Sequence, residues 1–191
     1  MVSDTVAPWA EPVLYTAEDL ARLPEDGWRY ELVQGRLVRM APTGFEHSEV
    51  AGPLHVALYS FVKEQGLGKV TMPDTGFVLS QPGEPDTVLA PDLAFIERAK
   101  VPASTSRGFI HVVPDLVIEI ASPSQHHPEL ATKARLWLAA STRLVWVIWP
   151  AERSVEVWEA GATEPRLVTD ELDGQDVLPG FHYPLRELFP S

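Results

Sequence analysis

The run Leu-Val-Ile-Glu-Ile at 116–120 constrains this chain more than any other stretch, because it sets a carboxylate inside backbone that reads as buried. Four large aliphatic residues around one acid are the pattern of a strand covered on both faces. An ionised carboxylate withdrawn from water without a partner is strongly unfavourable, or it neutralises itself by binding a proton. Glu119 therefore needs a partner. Asp92 raises the same question, since it stands in Ala-Pro-Asp-Leu-Ala-Phe at 90–95 beside another apolar run. In extended backbone, side chains two apart share a face, so Glu119 points with Val117 and Ala121, and Asp92 with Ala90 and Ala94. If the two segments are neighbours in one sheet, the acids lie side by side.

An amine follows in sequence. The segment 129–140 has helical periodicity, and at about 100° per residue Leu130, Ala131, Ala134, Trp137 and Leu138 fall in one arc. Lys133 lies at the margin of that arc, from which its stem can run along the helix toward the sheet edge. Magnesium takes about six oxygens and usually keeps several as water, so two carboxylates and one backbone carbonyl suffice from the protein. The Ile120 carbonyl can be the third donor. Such an ion makes water a better nucleophile toward phosphorus and steadies the leaving oxygen, while an ammonium at Lys133 could orient that water or stabilise the developing charge.

Each residue also has an ordinary reading. Pro-Asp pairs often start strands, a glutamate in an apolar run can belong to a buried ion pair, and a helix lysine is usually solvated. Glu31 can pair with Arg29, Arg36 or Arg39 across a hairpin. His47, at a helix start, can touch a phosphate or a water, or simply be exposed. The adjacent His126 and His127 lack the spacing of a zinc site. The conjunction of Asp92, Glu119 and Lys133 is what points to chemistry.

The remaining pattern supplies the scaffold. Thr16 caps a short helix that ends near Pro24 and Gly27, and 28–40 reads as a hairpin turning at Gln34-Gly35. A long helix is expected over 46–65, with Val50, Leu54, Leu58, Phe61 and Val62 on one side and Gly66 as its stop. Strands are expected at 70–72, 76–79, 88–96, 116–120 and on both sides of the turn 150–153. The tryptophans at 146, 149 and 158 read as core. Residues 100–108 read as a surface loop, and the chain after 160 as irregular with a short final helix at most. Helix, hairpin, helix, strands, helix, strands is the order of a mixed α/β fold with helices on the faces of its sheet.

At 191 residues and 45% hydrophobic side chains, one core is expected and a single domain 1–191, with an extended arm at 1–13. The chain has no cysteine, which excludes disulfides and thiolate metal sites and suits a cytoplasmic setting. No signal-peptide pattern and no apolar run of membrane-spanning length is present, so no membrane association is expected. A net charge of −12 argues against tight non-specific nucleic-acid binding, although acidic sites recruit cations that reverse the local field. Walker, GxGxxG and GxSxG motifs are absent.

Pro91-Asp92, followed 27 residues later by Glu119 in Pro-Asp-Leu-Val-Ile-Glu-Ile, resembles the PD-(D/E)XK nuclease superfamily. More closely, RYELVQGRLVRM, the helix near His47, PDLAF, PDLVIEIASPS, the Lys133 helix, LVWVIWP and the closing LPGF and LRELF resemble the Uma-type family of restriction-endonuclease-like proteins, across about 15–189. The resemblance implies a restriction-endonuclease-like core, with a central mixed sheet, an N-terminal hairpin and helices on its faces. It also implies Asp92 and Glu119 as metal ligands, Lys133 as the catalytic lysine and Glu31 as a further acid near the metal. Where the superfamily pattern sets a lysine two residues after the acid, this chain has Ala121, and Lys133 on the following helix fits the Uma-type arrangement. The expected activity is magnesium-dependent DNA cleavage, with manganese as a substitute ion and a homodimer as the natural way to cut two strands. The competing expectation is a binding module that keeps the fold without turnover.

Overall fold

The computed structural model describes residues 13–40, 42–103 and 108–189. All of the expected arm at 1–13 except Val13, and residues 104–107 of the expected loop, lie outside them. In chain order the elements are α1 (Ala17–Ala21), β1 (Arg29–Val33), β2 (Arg36–Met40), α2 (Phe45–Gln65), β3 (Gly68–Thr71), β4 (Phe77–Val78), β5 (Val88–Leu89) and β6 (Leu93–Glu97). They continue with β7 (Leu116–Ile120), α3 (His127–Ala139), β8 (Leu144–Trp149), β9 (Ser154–Glu159), β10 (Arg166–Val168), β11 (Glu171–Asp173), β12 (His182–Pro184) and α4 (Leu185–Leu188). The fold is mixed α+β.

Every residue of β7 and β8 is buried, and the two pair in parallel with Glu119 opposite Val147. Parallel neighbours need a long crossover, and α3 supplies it. Around this pair runs a six-stranded mixed sheet in the order β10-β9-β8-β7-β6-β3. One face, with Phe95, Ile118, Ile120, Trp146 and Ile148, packs on Val50, Leu54, Leu58 and Val62 of α2. The other face, with Ala94, Val117, Ala121, Val145 and Val147, packs on Leu130, Ala134 and Trp137 of α3. Strand alternation thus feeds two separate cores, and Glu119 belongs to the α3 side.

Two further sheets accompany the central mixed sheet that was expected. A four-stranded sheet has the order β2-β1-β5-β4, and β11 with β12 forms a small ribbon. The expected strand over 88–96 is two strands in two sheets: β5 pairs with β1 and β4, and β6 pairs with β3 and β7. Pro91 between them has no amide hydrogen for a ladder, so the chain changes sheets there. This hinge places Asp92 where the two sheets meet. The C-terminal region expected to be irregular carries β10, β11, β12 and α4, whose strands are three residues long and too short to show a period.

Local signals explain the rest. Thr16 and Asp19 form a reciprocal capping box on α1. At the hairpin, Gln34 and Gly35 have φ of 49° and 76°, the left-handed pair that a two-residue turn requires. α2 stops at Gly66, whose φ of 62° suits a residue without Cβ. Trp146, Trp149 and Trp158 are buried, as expected.

Candidate active site

The register of β6 against β7 decides how the acids meet. Leu93 lies opposite Ile118, so one step outward sets Asp92 opposite Glu119, and directly opposed residues share a face. Asp92 is fixed further by the Ile120 amide, which donates to its Oδ2 at 2.7 Å. Along a strand the amide and carbonyl of one residue point the same way, so the Ile120 carbonyl also faces Asp92.

Lys133 is buried, contrary to the ordinary reading of a helix lysine as solvated. Residues 130, 133, 134 and 137 are all buried, so the ammonium sits on the stripe that docks α3 and not at its wet edge. Its Nζ donates to Glu119 Oε2 at 3.0 Å and lies 2.9 Å from Glu31 Oε1. The second oxygen of Glu119 accepts from the Trp137 indole at 2.8 Å. Trp137 read from sequence as core only; its indole nitrogen has a polar task as well.

Glu31 makes none of the arginine pairs expected across the hairpin. Its side chain alternates to the inner face of β1, is buried, and accepts the Ala90 amide at 2.7 Å in addition to facing Lys133. His47, expected to be exposed, is also buried, and its Nε2 lies 2.9 Å from Asp92 Oδ1. It stands three residues before Val50 and seven before Leu54, so it extends the stripe that buries α2. That spacing was the available signal.

These five side chains line one cleft of about 370 Å³, where the four-stranded sheet meets the end of the six-stranded one. Three carboxylates share the cleft with one lysine, which bonds two of them. Burial is the largest influence on Glu119 and pushes its carboxyl up to about 8; Lys133 opposes this, and the Asp92 and Glu31 charges reinforce it. Burial alone would lower Lys133, but the charges of Glu119 and Glu31 outweigh it and hold the ammonium protonated. The cluster carries more negative charge than its lysine balances.

Elsewhere, His127 begins α3 and stacks on Trp149 with ring centroids 3.8 Å apart. Its nitrogens lie 2.8 Å from Glu152 and 3.1 Å from Glu156. His126 is the helix cap residue and makes no capping side-chain bond.

The chain matches the Uma2 family model, described as "Putative restriction endonuclease", over residues 17–186. The chain belongs to the Uma2 family. A crystal structure from Anabaena variabilis ATCC 29413, described as "a putative nuclease belonging to DUF820", is similar to it with a TM-score of 0.76 and 20% identity. The match covers 93% of this chain and 98% of that one, and at this identity it shows the fold. A search of curated proteins gives no match. No helix among the described residues is long and apolar enough to cross a membrane.

Among the described residues of this Uma2 chain, no three His, Asp or Glu side chains form a ready-made metal cage. The donors nonetheless fit a magnesium-like ion. Asp92, Glu119 and the Ile120 carbonyl are hard oxygens, each carboxylate oxygen keeps a lone pair beyond the donor it already accepts, and water completes such a shell. The surplus negative charge favours a cation in the cleft.

Proposed function

We propose that this chain is a metal-dependent endonuclease that hydrolyses phosphodiester bonds of DNA. The observation that carries this reading is the convergence of Asp92, Glu119 and Lys133, with Glu31, in one cleft. Asp92 and Glu119 would hold a divalent cation, magnesium or in its place manganese, together with the Ile120 carbonyl. When bound, that ion supplies Lewis acidity and an acidified water.

The chain's own residues do the rest. Glu31 accepts the Ala90 amide and faces the ammonium, so it aims Lys133 without leaving it free to swing to solvent. Lys133 Nζ donates toward the phosphoryl oxygens as charge develops on them, in a site where burial strengthens the interaction. The Trp137 indole holds Glu119 by the other oxygen, so the carboxylate is fixed from both oxygens by α3. A two-fold pair of such chains would present one cleft to each strand of a duplex.

Plasmid nicking tests this. Wild type with magnesium or manganese should convert supercoiled DNA to nicked circles. Asp92→Ala and Lys133→Ala should abolish conversion while keeping wild-type far-ultraviolet circular dichroism. Added ion should raise the melting temperature and chelation should lower it. No cleavage with either ion, and a melting temperature that neither ion moves, would leave a binding module with a nuclease fold.

A further inference from the structure

His47 is the buried group in the cleft to which the proposed chemistry gives no task. It is 6% exposed and its Nε2 is enclosed without any hydrogen-bond partner, although Asp92 Oδ1 is only 2.9 Å away. The contact is close enough for a hydrogen bond but is not aligned as one. A buried nitrogen left so is uncommon and unfavourable, and calls for an explanation such as a missing ion.

The separation itself is informative. In a magnesium-like octahedron with bonds of about 2.1 Å, neighbouring ligand atoms lie √2 times that distance apart, about 3.0 Å. An imidazole nitrogen and a carboxylate oxygen 2.9 Å apart and not aligned as a hydrogen bond have the spacing of two adjacent ligands of one ion. Both atoms are fixed from behind. The Ile120 amide holds the other oxygen of Asp92, and His47 is anchored by the stripe of α2 that continues through Val50 and Leu54.

We propose that His47 Nε2 and Asp92 Oδ1 are adjacent ligands of the divalent cation, and that this nitrogen makes the site select manganese over magnesium. The inference rests on the metal-dependent reading above. Magnesium favours an all-oxygen shell, whereas imidazole suits the transition ions, so one nitrogen in the shell separates the two. If His47 merely oriented Asp92, its loss would weaken both ions alike.

The test is calorimetric titration of the full chain with manganese chloride and with magnesium chloride, for wild type and His47→Gln, with pulsed electron paramagnetic resonance of the manganese-loaded wild type. Wild type should bind manganese at least about tenfold more tightly than magnesium, and its spectrum should show nitrogen-14 coupling. His47→Gln, which offers a carbonyl oxygen instead, should weaken manganese by roughly 10-fold to 100-fold and change magnesium by less than about threefold. Absence of nitrogen-14 coupling overturns the proposal without any variant. So does equal weakening of both ions in His47→Gln. If wild type binds neither ion, the metal-dependent function itself falls; if it binds both alike, only the role of His47 does.

Discussion

Replacing Lys133 with methionine isolates the electrostatic role of the lysine, because methionine has a similar unbranched stem and no charge. The ammonium faces Glu119 at 3.0 Å and Glu31 at 2.9 Å, and both carboxylates are buried. Removing one partner of such a cluster leaves charge uncompensated in the interior, a loss of about 3–5 kcal/mol. For a chain of this length, at about 2–4 °C per kcal/mol, the melting temperature should fall by roughly 6–20 °C. The loss should also depend on pH. Glu119 already titrates at about 8, above its ordinary 4.5, with Lys133 opposing that rise. Without the lysine it rises further. A carboxyl whose folded value exceeds its unfolded value binds extra protons in the folded state, so stability declines as pH climbs from the unfolded value through the folded one. The variant should therefore be closest to wild type near about pH 5, where the carboxyl is protonated in both, and further from it near about pH 9, above the wild-type value. Urea unfolding at both pH values measures the difference. A Lys133→Met chain as stable as wild type at the higher pH, or equally destabilised at both, would refute the charge balance drawn for this cleft.

Trp137→Phe keeps most of the apolar contact with Phe77 but removes the donor to Glu119 Oε1, and should cost about 1–3 kcal/mol in urea unfolding. It should also slow nicking, since Glu119 is then held from one side only; unaltered stability and rate would deny the indole its polar task. His127→Ala addresses the second histidine cluster. Hydrogen bonding to Glu152, then to Glu156, holds the His127 imidazole above its ordinary 6.5, with burial opposing. A histidine raised on folding stabilises fully below its unfolded value and loses that contribution as pH rises through the folded one. The variant should thus be destabilised more in mildly acidic than in alkaline buffer by thermal melting, and a pH-independent difference would contradict the pairing.

The strands that hold the site were legible because their alternation or continuous apolar character is set by burial. β7 and β8 follow from Leu116–Ile120 and Leu144–Trp149, and the helices α2 before them and α3 between them from three- and four-residue spacing. The change of sheet at Pro91 was hidden, because two short strands in one line of sequence resemble one longer strand. The three-residue strands after 160 were hidden for a related reason: their pairing lies in tertiary contact and not in any local period. In the site, Asp92, Glu119, Lys133 and Glu31 were named, and they meet. The direction of Glu31 away from its arginines was not legible, since it depends on which face of the hairpin the second sheet covers. The burial of His47 follows from its place on the α2 stripe, although a polar residue at a helix start gives no local sign of it.

The position of Lys133 follows from how α3 docks. Ala121, on the strand face of Glu119, is buried in the cluster that holds Leu130 and Ala134. A lysine stem at 121 would occupy the space through which that helix approaches. Alanine lets α3 come down onto the sheet, and the docking stripe 130, 133, 134 and 137 then carries the ammonium to Glu119. Lys133 bonds one oxygen of that carboxylate and Trp137 the other, one helical turn apart. The same two residues therefore register the helix on the strand and complete the cleft. Packing of α3 and assembly of the charged cluster are one event, so a substitution that lets the helix slide along β7 removes the lysine from the site even when every residue of the site is intact.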